Sequence, residues 1–122
     1  MHTTIVRRKK EWPGAHERVA VISAYVRQHY ARDLTNAELA QLVGISPSYM
    51  TRMFRHVMRM GPRAYIRRVR MGVAIRLSRA GHSQREIAAL IGFANKSHLS
   101  RSFRQTFGKP LGAYLRDKSR PR

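Results

Sequence analysis

An all-α fold is what this sequence predicts, and three observations carry the prediction. Helix-capping residues recur ahead of short apolar stripes at helical spacing. A whole unit of such elements returns 48 residues downstream, and no stretch reads as a strand.

Residues 35–57 set the pattern. Thr35 and Glu38 stand as a Thr-x-x-Glu capping box, in which the hydroxyl accepts from a free backbone N–H and the carboxylate reaches back to the cap residue's own N–H. Leu39, Leu42 and Val43 follow on one expected face. Gly44 ends the helix, because a residue without Cβ takes the left-handed conformation at least cost. Ser46 and Pro47 restart it as N-cap and first-turn proline. Met50, Met53, Phe54 and Val57 then form a stripe to be buried, and Ser48, Thr51, Arg52 and Arg55 form the opposite one. A short helix, a glycine turn and a second helix with a polar, basic outer face make a helix-turn-helix pattern.

The second copy keeps order, spacing and residue type. Ser83 and Glu86 repeat the box, Ile87, Leu90 and Ile91 the stripe, and Gly92 the stop. Ser97, Arg101, Phe103 and Arg104 match Ser48, Arg52, Phe54 and Arg55, at an offset of 49 because the second turn holds one extra residue. Two copies are a tandem pair rather than a solenoid.

Around the two units the remaining helices follow. Ala15 to Tyr30 carries Val19, Ile22, Val26 and Tyr30 on one face, as a brace for the first unit. Gly61-Pro62 opens a long helix to about Arg79, whose Ile66, Val69, Val73 and Leu77 are placed to pack on both units and fix their separation. Phe107-Gly108 closes the second outer-face helix, and a last short helix runs from Pro110 to about Asp117. The expected division is a basic flexible arm over 1–14, a first unit over 15–60, a linker helix over 61–80, a second unit over 81–117 and a tail over 118–122. The arm, with Arg7, Arg8, Lys9 and Lys10, is either a tail without a role or a segment that follows phosphates.

Charge narrows the partners. The 122 residues hold 25 Lys and Arg against 6 Asp and Glu, a net charge of +19. An excess of this size is attracted to polyanions, nucleic acid before anionic membrane, and repels itself unless a partner neutralises it. There are no cysteines, which excludes disulfides, thiolate chemistry and zinc fingers and fits a reducing cytoplasm. No apolar run approaches the ~20 residues of a membrane span. The six histidines, His2, His16, His29, His56, His82 and His98, show no metal-ligand spacing, so neither metal nor cofactor is expected.

The candidate contact residues lie opposite the apolar stripes. Arg52 and Arg101 are the leading base readers, since a guanidinium donates two hydrogen bonds to guanine O6 and N7; the bland alternative for each is a phosphate contact. Ser48, Thr51, Ser97 and Ser100 are small enough to let each helix approach the base edges. Lys96 and Arg104 suit phosphate, which positions without specifying, and Arg55 suits either. Tyr49 and His98, at matching positions, either reach the nucleic acid or pack against the turn.

These residues resemble the DNA-binding domain of the AraC/XylS family of bacterial transcription regulators. The strongest match is Gly92-Phe93, then Ser97-His98-Leu99-Ser100-Arg101-Ser102-Phe103-Arg104, then Phe107-Gly108, ending with Tyr114-Leu115-Arg116. The likeness covers about Ala15 to Arg116, and length and layout are similar to the short stand-alone members of MarA, SoxS and Rob type. It implies an all-α domain of about seven helices, with two recognition helices entering successive major-groove segments of double-stranded DNA. It also implies an activator that contacts RNA polymerase. Two departures stand out: Arg59 where the first unit usually has a glycine, and Leu111 in the usual proline position with Pro110 just before it.

The expected function is therefore a sequence-specific, non-enzymatic regulator of transcription that binds DNA as a monomer in the cytoplasm. Alternatively, the chain is the DNA-binding end of a longer effector-responsive regulator. A non-specific architectural or RNA-binding protein would not need duplicated turn chemistry. A DNA-processing enzyme would need clustered carboxylates, and Glu11, Glu17, Asp33, Glu38, Glu86 and Asp117 are scattered. Membrane disruption would need exposed apolar faces that this fold buries.

Overall fold

The computed structural model describes residues 12–119. The expected basic arm lies outside the described residues except for its last three, as do residues 120–122 of the tail. Seven helices and no strand occur among the described residues: α1 (Ala15–His29), α2 (Asn36–Leu42), α3 (Pro47–Met58), α4 (Pro62–Arg79), α5 (Gln84–Leu90), α6 (Lys96–Phe107) and α7 (Leu111–Ser119).

The caps explain most boundaries. Thr35, Ser46 and Ser83 each accept from the backbone N–H three residues on, and Pro47 and Pro62 sit in the first turns of α3 and α4. Asn95, in the longer second turn, caps α6 by accepting at Oδ1 from the His98 N–H at 2.9 Å. Ser83 and Glu86 complete both halves of their box. The Thr35 box is only half made, which corrects the expectation. The Glu38 carboxylate turns away to accept from Tyr25 Oη at 2.7 Å and from Arg32 at 2.6 Å. Hydrogen bonds from Arg32 and then Tyr25 hold that carboxyl below its ordinary range.

Two cores form, one per unit. Val19, Ile22 and Val26 of α1, Leu34, Leu39 of α2, and Met50, Met53 and Phe54 of α3 close the first together with Ile66 of α4. Met71, Val73 and Ala74 of α4 join Ile87, Ile91, Phe93, Leu99, Phe103 and Leu111 in the second. The linker helix thus passes from one core to the other between residues 66 and 71, about 7.5 Å of helix at 1.5 Å per residue. Ile66 and Val73 lie inside as expected; Val69 and Leu77 are only partly buried, and the fully enclosed Met71 and Ala74 were not on the expected stripe. Leu42 and Leu90, assigned to the apolar faces, are instead 40% and 51% exposed. They stand at equivalent places in the two units, each as the last residue of its helix.

Trp12, expected in a free arm, packs edge-on against Tyr49 at 5.3 Å between centroids and stacks on His56 at 5.8 Å. At the other end, helix α7 continues to Ser119, two residues past its expected end and into the expected tail.

Arg59 adopts φ 63°, ψ 19°, the left-handed conformation that Gly108 takes in the second unit. It is the one non-glycine residue with positive φ among the described residues. A side chain there costs on the order of 1 kcal/mol. Arg59→Gly is therefore expected to stabilise the chain by up to about 1 kcal/mol, a rise of at most ~4 °C in melting temperature at this chain length. A fall would mean that the Arg59 side chain contributes more than its backbone costs.

Candidate nucleic-acid interface

The caps and cores described above leave one face of α3 and one face of α6 uncovered. On α3, burial of Met50, Met53 and Phe54 turns Ser48, Arg52 and Arg55 to solvent, with Thr51 half-buried between. On α6, burial of Leu99 and Phe103 does the same for Lys96, Ser97, Ser100, Arg101 and Arg104. These five residues line one open groove of about 880 Å³ together with Gln84 and Gln105.

Gln84 and Gln105 were not foreseen. Gln105 continues the Ser97–Arg101 stripe at i+4, a signal the spacing contained. Gln84 is the first residue of α5, and only the packing of α5 on α6 brings it to the groove.

The two outer faces differ in how their side chains are held. Arg52 donates to Ser48 Oγ at 2.9 Å, one helical turn back. Thr51 donates to the Pro47 carbonyl at 2.9 Å, so its hydroxyl oxygen keeps only acceptor capacity outward. Arg55 lies back against the α3–α4 turn, its Nη2 3.0 Å from where a Cβ on Gly61 would sit. The matching Ser97 and Arg101 share no such bond among the described residues, and Arg101 is exposed. Tyr49 is half-buried against Trp12. His98 stacks on Phe93 at 4.3 Å and 18° while remaining exposed. Arg52, Arg55, Arg101 and Arg104 have no carboxylate partner among the described residues, so each face presents unneutralised positive charge.

No group of three or more His, Asp or Glu able to hold a metal occurs among the described residues, and none of their helices is long and apolar enough to cross a membrane.

A family model described as a helix-turn-helix domain matches residues 39–117. Over 94 residues the chain is 33% identical to YpdC, an HTH-type transcriptional regulator of Escherichia coli K12, covering 76% of this chain and 33% of that one. Over 104 residues it is 31% identical to an AraC-like transcription regulator of Streptomyces lividans, covering 84% of this chain and 34% of that one. It spans about a third of the length of these curated relatives. Among solved structures, the DNA-binding domain of AdpA in complex with a target DNA matches with TM-score 0.72 and 25% identity, over 82% of this chain and 91% of that one. With one family model across most of its length and paired helix-turn-helix units on a shared linker helix, the chain belongs to the AraC/XylS family, as its DNA-binding domain.

Proposed function

We propose that a single copy of this chain reads two successive major-groove segments of one duplex, α3 entering the first and α6 the second, and thereby regulates transcription. The observation that carries this reading is the duplication: two outer faces of like chemistry, each without carboxylate partners, on units joined by one helix. AdpA, a relative of the same fold, was solved on target DNA. Arg52 and Arg101 make the base contacts, and Ser48, Thr51, Ser97 and Ser100 keep each helix close to the base edges. Lys96 and Arg104 hold phosphates, and Arg55 stays near the backbone because it is drawn toward Gly61. His98 and Tyr49 shape the helix starts more than they touch DNA. Phosphate contacts supply most of the affinity, so binding weakens steeply with salt. The segments lie about one helical turn, ~34 Å, apart, and the DNA bends to meet both helices. The work is done in the cytoplasm, without cofactor or catalysis, and activation proceeds through contact with RNA polymerase.

The test is selection of bound sequences from a random duplex pool at about 150 mM salt, near physiological ionic strength. A two-part motif with parts about ten base pairs apart is the expected result. Tight, salt-sensitive binding to an unselected pool would replace it with an architectural role.

A second reading is favoured by one fact: the relatives are about three times as long as the matched region. In that reading the same domain serves as the DNA-binding end of an effector-responsive regulator.

A further inference from the structure

The two units touch each other directly, and not only through α4. Tyr30, at the end of α1 in the first unit, packs against the second core. Next to it, the Ala31 carbonyl oxygen faces Gly92 of the second unit so closely that a Cβ on Gly92 would lie 2.3 Å from it. Arg70 of α4 sits over this meeting point. Its Nε donates to the Tyr30 carbonyl at 2.6 Å and its Nη2 to the Arg32 carbonyl at 2.9 Å. The same guanidinium lies 5.3 Å from the centre of the Phe93 ring, on the turn that leads into α6. Phe93 in turn stacks on His98 in the first turn of α6. A continuous line of contacts therefore runs from the α1–α2 connection of the first unit, through Arg70 and Phe93, to the start of the second recognition helix.

The first-unit end of this line is itself fixed. Arg63, two turns before Arg70 on α4, donates to the Leu34 carbonyl. Arg32 is held by Glu38 and Tyr25, the interactions that took Glu38 out of its capping box. The connection over residues 30–34 is thus gripped from α1, α2 and α4 together. Burial, and secondarily the charge of Arg63, pulls the Arg70 guanidinium below its ordinary pKa. A cation kept half-buried without a carboxylate hydrogen-bonded to it needs the two carbonyls and the ring as its compensation.

We propose that Arg70 is the positioning residue that locks the two helix-turn-helix units into one register, through this joint, and so sets the spacing of the two DNA segments the chain accepts. The fork geometry suits such a joint, because a planar guanidinium addresses two carbonyls at the edge and a ring at the face, which an ammonium on a flexible stem does not. Two readers held rigidly at the right separation gain from a high effective concentration, and a loosened pair gains less. The proposal rests on the two-segment reading above.

The test uses the full chain, Arg70→Ala and Arg70→Lys, with the exposed Arg79→Ala as a control for loss of one positive charge. Duplexes carry the selected two-part site, either half alone, or the two-part site with one or two base pairs inserted or removed. A second readout, independent of DNA, is the distance distribution between spin labels at Gln41→Cys and Ala89→Cys, exposed on α2 and α5 of a chain without native cysteines. The expected result for Arg70→Ala is half-site affinity within about twofold of the unsubstituted chain, with about tenfold lost at the two-part site and a flattened spacing profile, the pattern of lowered effective concentration. The label distances broaden in step, and Arg79→Ala does neither. An unchanged spacing profile, or an unchanged distance distribution, overturns the proposal. If Arg70→Ala does not fold, Arg70→Lys decides by the same two readouts. Failure of the functional reading looks different: the unsubstituted chain then shows no spacing preference at all, whatever the labels report.

Discussion

Gly92→Ala is expected to destabilise the chain by roughly 3 kcal/mol, and Gly44→Ala, at the equivalent position of the first unit, by only about 1 kcal/mol. Both glycines stand in the left-handed region, at φ 91° and 70°, so both substitutions carry the steric cost of a Cβ there. What separates them is space. A Cβ on Gly44 would meet nothing within 4 Å, whereas one on Gly92 would meet the Ala31 carbonyl oxygen at 2.3 Å and its carbon at 2.9 Å. Those are backbone atoms in a connection gripped by Arg70 and Arg63, so they cannot swing aside as a side-chain end would. The remaining course is for the units to part, with loss of the Tyr30 packing and the Arg70–Phe93 contact. Chemical denaturation of both variants measures the difference directly. Equal losses would show that the inter-unit contact is soft, and that the turn alone requires glycine.

The local chemistry of this fold is legible because it is carried by residues close in sequence. Thr35, Ser46, Pro47, Pro62, Ser83 and the glycines at 44, 92 and 108 each act within a few residues of themselves, and the structure uses each as its chemistry suggests. The repeat extended that reading, since one unit checks the other. What escaped was decided by partners distant in the chain. Glu38 has the spacing of a capping box, but Tyr25, 13 residues before it, and Arg32 offered it stronger hydrogen bonds. Two side-chain donors, one of them a guanidinium cation, outweigh a single backbone N–H that water can also satisfy. Leu42 and Leu90 satisfy the helical period, yet periodicity does not reveal where a neighbouring helix ends. Met71 and Ala74 lie off the expected stripe because α4 faces two cores in succession, and a single stripe describes only one.

The candidate interface divides the same way. That Arg52 and Arg101 fall opposite the buried stripes follows from helical geometry. That one is braced and the other free does not, because Ser48 and Ser97 occupy equivalent positions and only Ser48 accepts from its arginine. Gln84 required the tertiary structure altogether.

This asymmetry predicts unequal effects of substitution at Arg52 and Arg101, the two proposed readers. Removing either guanidinium, by Arg52→Ala or Arg101→Ala, is expected to cost ~1–3 kcal/mol at the selected site and to relax base preference in one part of it only. The double variant should lose about the sum, since the readers sit in separate units with no shared partner. Ser48→Ala and Ser97→Ala test the brace. If both arginines contact bases as proposed, Arg52 would arrive with much of its rotamer freedom already spent, whereas Arg101 would give up its own on binding, a loss approaching ~2 kcal/mol for a long side chain. Ser48→Ala therefore weakens binding through Arg52, and its effect should largely vanish in an Arg52→Ala background. Ser97→Ala should show no such coupling to Arg101→Ala. Equilibrium binding of the four single and two paired variants to the selected duplex, at one fixed salt concentration, closes both double-mutant cycles. Coupling of similar size in the two units would mean that Arg52 leaves Ser48 when it meets the DNA and that both readers bind from the same unbraced state. Coupling confined to the first unit would mean that the helix presents Arg52 already placed, with its specificity resting on a serine one turn away.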